Sequence, residues 1–201
     1  GAPKFKEAVG KYLEYLKIQL YKSNVKVQVN KTAGVDDVIK KNPDAVIIAL
    51  GARPVIPEIP GMEKIQVMEA TRMLMNDQPA GEKAVVLGGG IVGCEAALHL
   101  YYKGKDVTIV EKLSDVLLTV KHATNNDLAI RKLLSDSNIK IMTSSTVVSA
   151  DRGKVTVDES GKQKDIPCDT LIVSVGYCCD KSLEKALKGT IKKVYSIGDY
   201  V

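Results

Sequence analysis

The chain has 201 residues, 45% of them apolar, with a formal charge of +5 from 29 Lys and Arg against 24 acids. That length allows one large or two small domains, and the apolar content is enough for a core. Only 4 of the basic residues are Arg, and the Lys are interspersed with acids, so the balance describes a solvated surface and not a nucleic-acid footprint. No apolar run approaches the ~18 residues of a membrane span, and no secretory h-region is present.

In chain order, Pro3 opens a helix whose apolar positions are Phe5, Ala8, Val9, Tyr12, Leu13, Leu16 and Leu20, at helical spacing. Val25, Val27 and Val29 alternate as a half-buried strand. A short helix over Val35–Lys41 leads through Pro43 to Ala45–Leu50, an apolar run that reads as a buried parallel strand. Pro54, Pro57, Pro60 and Gly61 then make a stiff connector of the kind that joins domains.

Beyond a helix near Glu69–Met75 the signals alternate: strand Ala84–Leu87, helix Ile91–Lys103, strand Val107–Val110, helix Asn126–Asp136, strand Ile139–Met142. That order calls for an α/β fold, a Rossmann-like parallel sheet with helices on both faces. Thr146–Cys168 breaks the rhythm with short β runs around Asp151-Arg152-Gly153 and Ser160-Gly161, a small antiparallel excursion expected at the sheet edge. Leu171–Val175 and Val194–Ile197 return as buried strands.

Two segments share one plan. Asp44-Ala-Val-Ile-Ile-Ala-Leu-Gly51 and Asp169-Thr-Leu-Ile-Val-Ser-Val-Gly176 each run from Asp through six apolar or small residues to a Gly. Either they are two similar strands ending in turns, or they are the outgoing and returning passes around an inserted domain. Their placement favours the second reading and predicts that the two passes lie close together. The implied boundaries are 1–54 for part of one domain, 55–175 for the inserted one and 176–201 for the return.

The chemistry lies in Ala84-Val-Val-Leu-Gly88-Gly-Gly90-Ile-Val-Gly93-Cys-Glu-Ala-Ala. A bare G-x-G-x-x-G is weak evidence, but this one follows a strand, opens a helix and precedes a second strand. Gly88 permits the tight turn, Gly90 lets backbone approach a pyrophosphate, and Gly93 lets helix pack on strand. Amides at the helix start then hold phosphate. Glu111, 18 residues after Gly93, ends the second strand where a carboxylate can accept both ribose hydroxyls of an adenosine. Glu95 either faces the nicotinamide end or is a helix-start acid favoured by the dipole. His99 and His122 read as structural or surface residues, and Met73–Met75 as core filler. Cys94, Cys168, Cys178 and Cys179 form no C-x-x-C and have no His at zinc-ligand spacing, so free thiols in a reducing, cytoplasmic setting are expected. No Ser/His/Asp set, paired-carboxylate motif or metal cluster appears.

Taken together, Ala-Leu-Gly51-Ala-Arg-Pro, the Pro-Gly connector, the Gly88 loop, Ser-Val-Gly176 and Val-Tyr-Ser-Ile-Gly198-Asp199 resemble the flavoproteins with two dinucleotide-binding domains. The opening Pro3-Lys-Phe-Lys…Tyr12-Leu…Tyr15-Leu…Gln19-Leu with Val25-Lys-Val-Gln-Val is similar to the C-terminal half of long reductases of the old yellow enzyme type. These include 2-enoate reductase, 2,4-dienoyl-CoA reductase and trimethylamine dehydrogenase. The resemblance implies an NADH-binding domain inserted into an FAD-binding one, serving an iron–sulfur cluster and FMN in a barrel domain that reduces an activated C=C bond. It implies that Gly88, Gly89, Gly90, Ile91, Val92, Gly93, Glu111, Lys112 and Gly176 surround NADH, and that Gly51, Gly198 and Asp199 touch FAD.

Two departures qualify it. The sequence holds one G-x-G-x-x-G where the family has a second, upstream, for the FAD pyrophosphate. It also has Cys178-Cys179 where the family tends to have Arg-Pro. The chain therefore reads as an excised piece of a larger protein, without the barrel, FMN site and cluster cysteines, and unable to hold FAD or transfer hydride alone. Its partners would be the missing barrel and FAD-domain segments, with no nucleic acid and no membrane. An NADH oxidase or disulfide reductase of the same fold is the alternative within enzymes. A non-catalytic redox-sensing module using Cys178-Cys179 is the alternative outside them.

Overall fold

The computed structural model describes residues 7–118 and 125–200, so Pro3, Phe5 and His122 lie outside the described residues. The chain divides into two compact units, one built on Pro54–Gly176 and the other on Lys11–Arg53 with Tyr177–Val201.

In the Pro54–Gly176 unit, five strands form a parallel sheet: β3 (Gln66–Glu69), β4 (Lys83–Leu87), β5 (Asp106–Val110), β6 (Lys140–Met142) and β10 (Thr170–Val173). Their spatial order is β3-β10-β4-β5-β6. Alternation along each strand separates two cores, as pleating requires. Ala84, Val86, Val107, Ile109 and Ile172 face α3 (Ala70–Asn76), α4 (Ile91–Tyr102) and α5 (Asn125–Ser135). Val85, Leu87, Val110 and Leu171 face the other way.

That second face departs from expectation. The parallel α/β class is the one anticipated, but an antiparallel sheet stands where helices were expected on both faces. It consists of β7 (Ser145–Asp151), β8 (Lys154–Glu159) and β9 (Lys162–Pro167). Val147, Ala150, Val155, Val157 and Ile166 pack directly on the parallel sheet, so the excursion covers a face and does not extend an edge. Period-two alternation gives these strands one apolar side, which is what a flat surface needs for cover. The sequence reading also missed β3. Glu69, its last residue, caps α3 by accepting the Thr71 and Arg72 amides.

In the other unit, β1 (Val46–Ile48) pairs in parallel with β12 (Val194–Ser196). Their core joins Ile48, Leu187 and Tyr200 with residues of α2 (Val35–Lys40) and α6 (Ser182–Leu187). The expectation of a fully buried run over Ala45–Leu50 fails, because Ile47 and Leu50 are each 65% exposed. A two-stranded pair covered on one face leaves the alternate side chain Ile47 in solvent, and Leu50 lies beyond the end of β1.

Residues 25–29 do not form the expected strand; Val25, Val27 and Val29 are exposed and make no ladder. Alternation supplies an apolar side, but a strand also needs an edge to bond to, and none reaches this segment among the described residues. Helix α1 (Glu7–Lys22) forms as the spacing predicts, yet Tyr12, Leu13, Leu16 and Leu20 are all exposed. Local i→i−4 bonds make the helix whether or not its stripe is packed.

The outgoing and returning passes do not pair with each other, since β1 bonds β12 and β10 bonds β3 and β4; the pairing found lies just beyond them. Arg53–Pro54 (β2) pairs with Tyr177–Cys178 (β11), and the Val55 amide donates to the Gly176 carbonyl at 2.9 Å. Among the described residues no helix is long and apolar enough to cross a membrane, and no group of three or more His, Cys, Asp or Glu could hold a metal ion.

Candidate functional site

The loop at the C-terminal end of β4 is shaped by close backbone approach. Gly88 adopts φ +102°, and a Cβ there would meet the Ser174 carbonyl oxygen at 2.2 Å. A Cβ on Gly93 would lie 2.0 Å from the Gly88 carbonyl oxygen, so this turn and helix admit only glycine at both points. Gly90 is the N-cap of α4 and offers no side chain to the helix start. First-turn amides have no intrahelical acceptor, so they remain available to an anion. Ile91 and Val92 begin the helix, and Val92 and Ile91 pack against the core beneath it.

Glu111 follows β5 beside this loop. One carboxylate oxygen accepts the Gly89 amide at 2.5 Å and the other the Leu113 amide at 2.7 Å. Two backbone donors thus fix its direction, and each oxygen keeps a second lone pair for a ligand hydroxyl. Lys112 is exposed next to it. The end of β10 also reaches the loop: the Ser174 amide donates to the Leu87 carbonyl at 2.8 Å, and Gly176 two residues on has φ +106° with open space at its Cβ position. Gly88, Gly89, Gly90, Gly93, Glu111 and the β10 end are therefore brought together.

In the other unit, Gly51 and Gly198-Asp199 follow β1 and β12. Because those strands are parallel and in register from Val46↔Val194 to Ile48↔Ser196, both segments emerge at the same end of the pair. Gly51 and Gly198 both have φ +68°.

Several residues set aside in the sequence are now placed. Glu95 is buried on α4. His99 bonds Asp77 at 3.1 Å, and Lys103 pairs with the same carboxylate, which explains His99 structurally. Met73 is fully buried as core filler, but Met75 is 70% exposed and is not. The residues that brace the loop through their backbones, Ser174 and Leu117, carried no sequence signal, since any side chain could have supplied the same amide or carbonyl.

All four cysteines are free. Burial pushes the Cys94 thiol up to about 12 and Cys168 up to about 11, whereas Cys178 is exposed and Cys179 partly so. Since the thiolate is the nucleophile, titration with a chromogenic disulfide should show two fast thiols per chain and two that react only on unfolding. Fast reaction of Cys94 or Cys168 in the native protein would contradict this.

Residues 2–197 match the pyridine nucleotide-disulphide oxidoreductase family. A cinnamate reductase of Clostridium sporogenes is 31% identical over 99% of this chain, which covers 30% of that protein. An NADH oxidase of Thermoanaerobacter brockii is 32% identical over 94% of this chain and 30% of its own length. Among solved structures, a 2-naphthoyl-CoA reductase in complex with 2-naphthoyl-CoA superposes with a TM-score of 0.84 at 29% identity, covering 99% of this chain and 30% of that one. The chain belongs to the pyridine nucleotide-disulphide oxidoreductase family. It spans about 30% of the length of each of these three relatives.

Proposed function

We propose that the Pro54–Gly176 unit binds NADH and that the other unit supplies part of an FAD site, in a larger oxidoreductase that reduces an activated C=C bond. The observation that carries the first part is the Gly88–Gly93 loop at a helix start, with Glu111 held beside it by two amides. The open first-turn amides fit a pyrophosphate, and the fixed carboxylate fits a ribose. NADH would supply a hydride that FAD accepts. This chain's own residues bind and orient: α4 receives the phosphates, Glu111 takes the adenosine hydroxyls, and Gly176 leaves room at the end of β10. Ile91, Val92, Gly89 and Lys112 complete the surround.

For FAD the fit is partial. Gly51, Gly198 and Asp199 emerge together at one strand end, but the single Gly-rich loop of this sequence belongs to the NADH unit. The C=C reduction, with FMN and an iron–sulfur cluster in a barrel domain, draws its support from the cinnamate and 2-naphthoyl-CoA reductases that this chain resembles over 99% of its length. The NADH oxidase at 32% identity favours direct oxidation of NADH as the second reading. A cytoplasmic setting belongs to the same proposal.

Purified alone, the chain is expected to be colourless, to bind NADH and to transfer no hydride. Absorbance at 450 nm and NADH fluorescence titration check this together; stoichiometric yellow flavin, or no NADH binding, would refute the corresponding half.

A further inference from the structure

The Gly-rich loop is braced from a side that the binding motif does not include. Gly89 has its N–H on Glu111, while its carbonyl accepts the Leu117 amide at 2.8 Å and the Cys94 thiol at 3.3 Å. Three successive glycines carry no side chains to hold a peptide plane, so the orientation of Gly89 depends on these neighbours. The Leu117 contact is the one under tension: Leu117 sits at φ +62°, a left-handed conformation that a branched side chain adopts only when its surroundings enforce it.

Arg131 enforces it. From α5, its Nη1 donates to Asp115 Oδ2 at 2.9 Å and its Nη2 to the Val116 carbonyl at 2.7 Å. Its Nε donates to Asp127 Oδ1 at 3.2 Å, one turn earlier on the same helix, which fixes the guanidinium before it reaches the turn. A planar fork holds a side chain and a carbonyl in one set geometry, where an ammonium offers only rotatable donors on a flexible stem. Val116 and Leu117 are both buried, and Val116 Cγ1 stands 2.7 Å from the Cβ position of Gly89. The links run without a gap from Asp127 through Arg131 and the Asp115–Leu117 turn to the loop.

We infer that Arg131 is a positioning residue for nucleotide binding, fastening the Asp115–Leu117 turn against Gly89 and so setting the peptide planes that meet the adenosine diphosphate half. This rests on reading the loop as the NADH site. Without the guanidinium, two carboxylates face each other across its place, Leu117 relaxes out of the left-handed region, and its amide leaves the Gly89 carbonyl. The loop then pays for ordering when the nucleotide arrives, and affinity falls without any ligand contact being deleted.

The test uses Arg131→Gln and Arg131→Lys, with Lys132→Ala as a control that removes only an exposed pair with Asp136 on the same helix. NADH and ADP-ribose affinities are measured well below the melting temperature, with hydrogen exchange of the Leu117 amide measured without nucleotide. Arg131→Gln should weaken NADH and ADP-ribose equally, by about tenfold, and speed Leu117 exchange. Arg131→Lys should recover part of both, and Lys132→Ala should change neither. A folded Arg131→Gln protein that binds both ligands as the wild type does would overturn the inference, as would a loss confined to NADH. If the wild type binds neither ligand, the nucleotide reading itself fails. Leu117 exchange would then still report whether Arg131 fastens the turn.

Discussion

Gly93→Ala is expected to destabilise the protein by ~3 kcal/mol, the upper range for a methyl forced into packed backbone. Elsewhere the sign is opposite, since alanine is favoured over glycine in a helix interior by about 1 kcal/mol. Gly10 of α1 provides the comparison: its Cβ position has nothing within 4 Å, so Gly10→Ala should stabilise its helix. At Gly93 the added Cβ meets the Gly88 carbonyl oxygen at 2.0 Å and Ser174 Oγ at 3.3 Å. The carbonyl cannot retreat cheaply, because Gly88 is the turn and its amide bonds the Val110 carbonyl. Relief must come from moving α4 off β4, which opens the core and carries the helix start away from the loop. Urea melts of the two variants would show the opposite signs, and NADH affinity should fall only in Gly93→Ala. A Gly93→Ala protein as stable as the wild type would mean that helix and strand are not in this contact.

The second large effect concerns the choice of nucleotide. NADH should bind about thirtyfold more tightly than NADPH, corresponding to ~2 kcal/mol. The cause is the Glu111 carboxylate, pinned by the Gly89 and Leu113 amides. A 2′-phosphate there would lose the hydroxyl bonds and place like charges together, at roughly 4 kcal/mol for unit charges ~4 Å apart at an effective dielectric near 20. Lys112 is exposed and flexible, and softens this penalty without cancelling it. Glu111→Ala should weaken NADH and close most of the gap to NADPH, which parallel fluorescence titrations would show. Equal binding of the two nucleotides by the wild type would remove Glu111 from the ribose.

The parts of the molecule legible in the sequence are those where one residue type has one physical consequence. Gly88 and Gly93 announce close approach because no other residue fits, and Ala84–Leu87 announces a buried strand because it is apolar on both faces. Glu111 could be placed because the length of α4 and β5 fixes where β5 ends. Illegible were features that depend on what lies opposite. Val25, Val27 and Val29 alternate like a strand, but pairing belongs to the neighbour and not to the segment. The antiparallel strands could be seen individually, while their seat on the face of the parallel sheet could not, because alternation says which side is apolar and not what it covers. Leu117 and Arg131 were invisible for a related reason: a carbonyl, an amide and a left-handed leucine carry no composition signal.

The strand order has a consequence for how the chain is assembled in time. β10 lies between β3 and β4, yet it is the last of the five strands to leave the ribosome. Thr170 bonds Gln66 across 104 residues, and the Lys83 amide bonds Asp169 across 86. Until β10 exists, β3 and β4 have no common neighbour, and the apolar rows on both faces stop at β4. Local pieces can form earlier, since β7, β8 and β9 are joined by tight turns and close over short distances. They form as a cover waiting for the surface they will cover. The arrival of β10 ties the edge strand β3 to the β4-β5-β6 ladder, so a nascent chain stalled before residue 170 carries nearly all of the nucleotide-binding sequence without the strand whose end reaches the Gly-rich loop.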